Sequence, residues 1–222
     1  MILYLYDLRV YMARIISFLN PKGGVTKTTT ALGVSAGIKR RGFKNVLCES
    51  DFQLSIGNWY VEGVTEFDVT ETTTEKAIYS IPKALKDYDY IVIDGLANNM
   101  SLTAAILMVS DLVIVPVAPS PMDYASMSAL LAAIEARKAL KPLDARFLIT
   151  KKKARSKLTT MLREDLKELG LPVLKTQISD SEIVKFATRE GRTIFDDRSS
   201  NASKPKGEID VLTKEILELL NG

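Results

Sequence analysis

The chain has 222 residues, of which 46% are hydrophobic and 26% charged, and its formal net charge of +3 at pH 7 indicates no particular partner. It contains one cysteine, Cys48, and no histidine, which excludes an intramolecular disulfide, a zinc site of the usual ligands and a serine–histidine–aspartate triad. A bound metal would need oxygen ligands, which favours Mg²⁺.

The first eleven residues, MILYLYDLRVY, are apolar but lack the basic start and the cleavage site of a secretory signal. We expect residues 1–11 to be an extension outside the fold and residues 12–222 to form a single domain. Apolar runs stay shorter than the ~18 residues of a membrane span, which predicts a cytoplasmic protein with no membrane partner.

Short β-branched runs alternate with longer segments of helical period in the rest of the chain. Because these runs are continuously apolar, they predict strands that are buried on both faces. They lie at 14–19, 45–48, 90–94, 112–117 and 146–150, with a further short strand expected in 172–178. Strand–helix–strand units in series predict an α/β fold with a doubly wound, mostly parallel sheet flanked by helices.

Several residues predict where helices begin and end. Ser101 is expected to cap the helix that follows it, and Gly42, Gly170 and Gly191 follow the last periodic residues of three others. The polar stretch 196–207 is expected to be a surface loop before a final amphipathic helix.

The segment NPKGGVTKTTT, residues 20–30, joins the first strand to the first helix, where ligands bind in such sheets. Gly23 and Gly24 allow a tight turn that presents backbone N–H groups inward. Lys27 could bind a β- or γ-phosphate at the helix start, and Thr28 could offer its hydroxyl to Mg²⁺. These residues predict a phosphate-binding loop; the alternative is a glycine-containing connection with solvated lysines.

The loop departs from the general pattern G-x-x-x-x-G-K-[ST], because Pro21 and Thr26 occupy its two glycine positions. A β-branched residue at position 26 is poorly suited to a positive φ. The segment instead fits the deviant form K-G-G-x-x-K-T-[ST]. With "SDLVIVPVAPSPMD" and "ARFLIT", it resembles the ParA family of partition ATPases, within the group that includes MinD and the nitrogenase iron protein. The short plasmid-borne members similar to ParF are the most alike.

The resemblance implies a P-loop NTPase of the deviant Walker A (SIMIBI) type that uses ATP and Mg²⁺. Lys22 matches the signature lysine that reaches across a nucleotide-sandwich homodimer to the partner's phosphates; the alternative is a solvated surface lysine. Lys22, Lys27 and Asp51 are implied to be catalytic. The implied nucleotide contacts are Lys22, Gly23, Gly24, Val25, Thr26, Lys27, Thr28, Thr29, Asp94, Thr150 and Lys151.

Two acidic residues follow other predicted strands. Asp51 matches a family aspartate that positions the attacking water, whereas Glu49 and Phe52 replace the family's aspartate and proline. Asp94 ends a Walker B-like strand, and Gly95 is expected to let the next loop move. Thr28, Asp51 and Asp94 are the predicted metal residues. Asp51 could instead cap the next segment, and Asp94 could be only a turn former.

Two later segments also resemble family elements. Residues 117–124 match a proline-containing loop on the dimer face, and Thr150 and Lys151 lie where relatives contact adenine. The basic run 151–157 could alternatively bind the phosphate backbone of nonspecific DNA, or be a solvated face.

The resemblance therefore implies an ATPase with weak intrinsic turnover that dimerises on ATP, binds nonspecific DNA on the nucleoid and segregates a plasmid or similar cargo. A centromere-binding partner of the ParB or ParG type would stimulate release. Thr26, Glu49 and Phe52 leave open an ATP-dependent binding switch with little hydrolysis, and positioning of another cytoplasmic cargo uses the same chemistry. The single cysteine excludes a nitrogenase-type reductase, and the acidic carboxyl-terminal segment disfavours MinD-like membrane binding.

Overall fold

A computed structural model describes residues 13–51, 67–119, 124–153, 157–190 and 192–221. The predicted extension at 1–11 lies outside these ranges. Seven parallel strands form one sheet in the spatial order β3-β2-β4-β1-β5-β6-β7. In chain order they are β1 (Arg14–Phe18), β2 (Asn45–Glu49), β3 (Asp68–Glu71), β4 (Tyr90–Asp94), β5 (Leu112–Val117), β6 (Asp144–Lys152) and β7 (Val173–Ser179). The predicted fold class is confirmed.

Seven helices cover the two faces of this sheet within the described ranges. They are α1 (Lys27–Arg40), α2 (Glu75–Ala84), α3 (Met100–Val109), α4 (Tyr124–Lys138), α5 (Lys157–Glu168), α6 (Glu182–Arg189) and α7 (Ser203–Asn221). Two short 3₁₀ turns, Ile194–Asp196 and Ser200–Ala202, connect α6 to α7. No helix in the described part of the chain is long and apolar enough to cross a bilayer.

Alternate residues of each central strand enter different cores, which explains the continuously apolar runs. On β4, Ile91 and Ile93 join the core beneath α2, α3, α4 and α5. Val92 joins the opposite core, beneath α1 and α7. All three side chains are fully buried. A strand covered on both faces must be apolar at every position, as the sequence predicted.

Two glycines of α1 let side chains of α7 pack directly against its backbone. A Cβ atom built on Gly37 would clash with the Thr213 hydroxyl, and one on Gly33 would lie 3.1 Å from the Ile209 Cδ1 atom. The two glycines therefore serve close packing, since the loss of side chains lets the last helix contact the backbone of the first.

The last helix also covers the edge of the sheet at β7. The Glu215 carboxylate accepts hydrogen bonds from the N–H groups of Lys175 (2.8 Å) and Thr176 (2.9 Å). Glu208 accepts from the N–H of Ser179 at 2.8 Å and from its hydroxyl at 2.6 Å. Exposed edge strands carry unpaired N–H groups that can template aggregation, and these carboxylates satisfy three of them.

Two predictions about helix ends are wrong. The cap of α3 is Asn99, whose side chain accepts from the N–H of Leu102 at 3.0 Å, because the helix begins at Met100. The Ser101 hydroxyl instead donates to the Glu75 carboxylate. The expected loop 196–207 contains a 3₁₀ turn and the start of α7.

Other local predictions have different outcomes. Gly42 and Gly170 adopt φ values of 85° and 86° after their helices, as expected of helix-terminating glycines, whereas Gly191 lies outside the described ranges. The short strand expected in 172–178 is present as β7. The edge strand β3 was not predicted, because four residues of mixed polarity, DVTE, carry no strand signal.

Candidate nucleotide-binding site

The loop between β1 and α1 is held open by hydrogen bonds to distant strands. The Asn20 side-chain N–H donates to the Pro116 carbonyl at 2.7 Å, and its Oδ1 accepts from the Lys22 N–H at 2.8 Å. On the other side, the Thr150 hydroxyl donates to the Val25 carbonyl at 3.1 Å. The sequence did not single out Asn20, and only its position beside the loop could have indicated its role.

Two residues of the loop adopt left-handed backbone conformations. Gly24 has φ 71°, and Thr26, immediately before α1, has φ 68° and ψ 28°. The Thr26 hydroxyl donates to the Val25 carbonyl at 2.6 Å, while the Thr30 hydroxyl donates to the Thr26 carbonyl at 2.7 Å. The unfavourable φ expected of this β-branched residue is therefore present, and the loop keeps its turn despite it.

Lys27 is directed inward at the start of α1. Its side chain is only 8% exposed, and Nζ donates to the Lys22 carbonyl at 3.1 Å. Burial lowers the pKa of Lys27, while the charges of Asp94 and Asp51 oppose that shift. The ammonium group thus lies within the loop, close to two carboxylates, at the positive end of a helix dipole.

Thr28 and Asp94 meet beside this lysine. The Thr28 hydroxyl donates to Asp94 Oδ2 at 2.6 Å. The other carboxylate oxygen, Oδ1, is buried and has no hydrogen-bond partner. Burial raises the pKa of Asp94 to about 7, against the lowering effects of the Thr28 hydrogen bond and the Lys27 charge. A buried acceptor without a partner costs stability, so this oxygen is suited to a cation or to a water bound to one.

These oxygen donors fit Mg²⁺. A hydroxyl and a carboxylate are its usual protein ligands, and it keeps several waters in phosphate sites. No cluster of three acidic, cysteine or histidine side chains suited to a metal occurs in the described ranges. With one hydroxyl and one carboxylate as protein ligands, the site fits a hydrated ion shared with phosphate.

The acidic residues after β2 lie at the same edge of the sheet. Glu49 pairs in register with Asp94 across β2 and β4, and the Ser50 N–H donates to the Asp94 carbonyl at 3.1 Å. Glu49 is fully buried, whereas Asp51 is partly exposed and close enough to affect the pKa values of Lys27 and Asp94. The structure therefore brings Asp51 near the predicted site, while Phe52 lies outside the described ranges.

Gly95 has a packing role. Its N–H donates to the Phe18 carbonyl at 3.1 Å, and a Cβ atom there would lie 2.8 Å from that oxygen and would clash with Leu19. The absence of a side chain lets the end of β4 approach the end of β1, which places Asp94 beside the phosphate loop. The expected movement of the following loop stays a prediction.

A small cavity adjoins the phosphate loop. Threonines of α1 and the preceding residue line one side, and both apolar and charged residues in or next to β7, α6 and α7 line the other. The lining residues are Thr26, Thr29, Thr30, Lys151, Ile178, Ser179, Asp180, Ser181, Val184, Lys185, Pro205, Glu208 and Ile209. Its volume of about 30 Å³ is that of a single water, so as it stands it does not hold a nucleobase. Lys151, with φ 51°, lines it. Thr150 is fully buried and supports the loop through Val25, and its expected contact with adenine stays a prediction.

Some site predictions concern contacts with a second subunit or with DNA, which the structure of a single chain does not contain. Lys22 is partly exposed on the loop, and its role across a dimer stays a prediction. Of the expected dimer-face segment 117–124, residues 120–123 lie outside the described ranges, as do residues 154–156 of the basic run.

Comparisons with known proteins agree with this geometry. The chain is 27% identical over 208 residues to the maintenance of carboxysome distribution protein A of Halothiobacillus neapolitanus, a match that covers 91% of this chain and 95% of that protein. It resembles the structure of a putative plasmid partition protein from Borrelia burgdorferi bound to AMPPNP, with a TM-score of 0.70 and 21% identity over 93% of this chain and 99% of that one.

A further solved structure has the same fold. The septum site-determining protein MinD of Pyrococcus horikoshii, complexed with Mg-ADP, gives a TM-score of 0.69 at 18% identity, covering 94% of this chain and 98% of that chain. A family profile described as the CobQ/CobB/MinD/ParA nucleotide-binding domain matches residues 16–194. The family predicted from the phosphate loop is confirmed: this chain belongs to the CobQ/CobB/MinD/ParA nucleotide-binding domain family.

Proposed function

We propose that this protein is an Mg²⁺-dependent positioning ATPase that dimerises on ATP. The observation that carries the proposal is the cluster of Lys27, Thr28 and Asp94 at the start of α1, with a buried ammonium group 3.1 Å from the loop carbonyl and an unpartnered carboxylate oxygen. Family membership and relatives solved with AMPPNP or Mg-ADP support it.

Each residue of the cluster has a distinct task in this proposal. The N–H groups of the loop and of the first turn of α1 bind phosphate oxygens, and Lys27 neutralises the transferring group. Thr28 and Asp94 would hold the hydrated Mg²⁺, which would offset the negative charge of the phosphates. Asp51 orients the attacking water.

Dimer formation and DNA binding belong to the same proposal. Lys22 would reach the phosphates bound by a second copy, so that two subunits join only when ATP is present. The dimer would bind nonspecific DNA, and a partner protein of the ParB or ParG type would stimulate hydrolysis and release. The relatives named above concern carboxysome distribution and plasmid partition, so the cargo is a plasmid or another cytoplasmic body.

ATP binding and hydrolysis with and without nonspecific DNA would test the proposal. We expect saturable Mg²⁺–ATP binding and weak turnover, both lost in Lys27→Ala. Lys22→Ala should keep monomeric nucleotide binding but lose the ATP-dependent dimer in sedimentation. An unchanged dimer in Lys22→Ala would refute its role, and wild-type protein that fails to bind Mg²⁺–ATP would refute the function.

A binding switch with little hydrolysis is the second candidate. Two observations favour it: Glu49, fully buried, replaces the expected aspartate, and Thr26 adopts a left-handed conformation in the loop. Phosphate release with DNA and partner present discriminates the two. Turnover no greater than that of Asp51→Ala would support the switch.

A further inference from the structure

A basic groove lies at the carboxyl end of β6, between that strand, α5 and β7. It has a volume of about 410 Å³. Four cations line it: Lys152, Lys153, Lys157 and Arg163. Thr159 and Gln177 are among its uncharged lining residues, and none of the lining residues that the structure describes is acidic. We call this surface the α5 groove.

Several lysines on the described surface are paired with carboxylates, whereas the cations of the α5 groove are not. Lys138, Lys167 and Lys185 each lie within 3 Å of a carboxylate. Across the described ranges, Lys152, Lys153, Lys157 and Arg163 form no ion pair with a carboxylate. Positive charge thus accumulates in a concave surface without internal compensation, which favours an anionic ligand.

One neighbouring carboxylate reduces this charge. Asp180 is close enough to Lys151 and Lys153 for their charges to help lower its pKa, after the larger effect of its hydrogen bond with Lys185. Since Lys185 Nζ lies 2.8 Å from Asp180 Oδ1, this carboxylate already has a cationic partner outside the groove. The α5 groove therefore keeps a net positive charge.

The amino end of α5 supplies further donors. This twelve-residue helix begins at Lys157 and has no acidic residue in its first turn. The first N–H groups of a helix have no partner within it, and the helix dipole favours an anion there. Arg163, one and a half turns later, donates through Nη2 to the Leu174 carbonyl at 3.1 Å, which fixes the guanidinium beside β7.

Thr159 provides an independent indication of a ligand. Its side chain is 7% exposed and lines the groove, yet its hydroxyl oxygen has no hydrogen-bond partner. A buried hydroxyl normally finds a partner, because leaving it unpaired costs about 1–3 kcal/mol. The hydroxyl sits in the first turn of α5, where a bound oxyanion would accept its hydrogen.

We propose that the α5 groove binds a phosphate group. This site is separate from the one formed by Lys27, Thr28 and Asp94, which we call the nucleotide crevice. The first-turn N–H groups of α5 and the Thr159 hydroxyl are the inner donors, and the four cations surround them. Two sources share this chemistry, a backbone phosphate of DNA and free inorganic phosphate. The assignment of the ligand to DNA rests on the proposed function, whereas its assignment to free phosphate does not.

The DNA source is tested by fluorescence anisotropy of a short duplex with Mg²⁺ and AMPPNP over a salt series. In Lys153→Gln/Lys157→Gln, the slope of log affinity against log salt should fall by roughly 2, since each lost phosphate contact lowers it by about 0.9. Thr159→Val should weaken binding several-fold at unchanged slope, because the hydroxyl is neutral. The matched control is Lys167→Gln, in the last turn of α5 and paired with Glu164, which should bind like wild type.

The free-phosphate source is tested by titrating inorganic phosphate against sodium chloride of equal ionic strength. Backbone amide resonances of Thr159 and Thr160 should shift with phosphate in wild type and less in Thr159→Val. Urea unfolding of each variant verifies that it is folded. If the groove variants change only the binding of the duplex, the ligand is a DNA phosphate. If they change the response to inorganic phosphate, with or without an effect on the duplex, the site also accepts free phosphate.

The proposal is overturned if neither probe distinguishes the groove variants from Lys167→Gln. That result is separable from failure of the proposed function, because Mg²⁺–ATP binding is measured on the same samples. Intact nucleotide and duplex binding with no groove effect would reject the α5 groove alone.

Discussion

The nucleotide crevice and the α5 groove both place cations at the amino end of a helix, but they differ in how those cations are held. In the crevice, Lys27 is 8% exposed and faces Asp94 and Asp51. In the groove, Lys152, Lys153 and Lys157 are exposed and the lining contains no carboxylate. A buried, compensated cation suits one ligand in one geometry, whereas exposed cations suit a ligand recognised mainly by charge.

The largest effect is expected from Lys27→Ala, because the crevice concentrates its binding energy in one buried ammonium group. Nucleotide affinity should fall about 10- to 150-fold, the size expected for a charge-assisted hydrogen bond of 1.5–3 kcal/mol. Isothermal titration with AMPPNP and Mg²⁺ measures it. The control Lys39→Ala removes an exposed lysine from the last turn of the same helix and should bind normally. Equal losses in both variants would contradict the comparison.

Asp94→Asn should mainly affect the metal. It keeps an oxygen near Thr28 but removes the charge that suits Mg²⁺, so the gain in nucleotide affinity on adding Mg²⁺ should shrink on the order of tenfold to a hundredfold. Nucleotide affinity in EDTA should change little. A variant that responds to Mg²⁺ like wild type would remove Asp94 from the metal site.

Thr26→Gly tests whether the backbone of the crevice loop is strained at the positive φ of Thr26. The α5 groove has no such strain, because α5 is a regular helix. The free energy of unfolding should rise by about 1 kcal/mol, because ~2 kcal/mol of strain at φ 68° is relieved against about 1 kcal/mol of added chain entropy. Urea unfolding measures the change. Thr26→Ala keeps a Cβ atom and should gain nothing, so equal stabilities of the two variants would argue against backbone strain.

The smallest effect is expected from Glu215→Gln, which loosens the edge strand that carries Gln177 into the α5 groove. Burial raises the pKa of Glu215, but hydrogen bonds from Thr176 and Lys175 outweigh it and hold the pKa below its usual value of 4.5. The stabilisation is therefore fully present above pH 4.5 and is lost as the pH falls through the lower folded value.

At pH 7 the loss in Glu215→Gln should stay below about 1 kcal/mol, because solvent screens a half-exposed carboxylate. The difference from wild type should vanish in acid. Denaturant unfolding between pH 7 and pH 3 measures it, with Glu218→Gln, an exposed position on the same helix, as the control. A constant difference across that pH range would mean that the charge is not responsible.

Much of the crevice could be predicted because each of its residues belongs to a short local motif. Lys27 and Thr28 follow the glycines of one loop, and Asp94 ends an apolar strand. The supports could not be predicted in this way: Asn20 reaches Pro116, and Thr150 reaches Val25, across 96 and 125 residues. Such pairs depend on strand order, which a single sequence does not encode locally.

The remaining differences between the sequence predictions and the structure have local causes. Asn99 and Ser101 are both good capping residues, and only the start of α3 at Met100 decides between them. Strand β3 is short and lies at an edge, so it needs no apolar run. The α5 groove was visible only as a basic run, since the buried hydroxyl of Thr159 depends on packing between β6, α5 and β7.

The contact between Gly37 and Thr213 has a mechanical consequence. Helix α1 starts at the phosphate loop, and its glycines lie in direct contact with side chains of α7. Helix α7 in turn accepts hydrogen bonds from N–H groups of β7 through the carboxylates of Glu208 and Glu215. A force applied to the loop is therefore transmitted through two closely packed helices to β7, the strand at the border of the sheet that also lines the α5 groove.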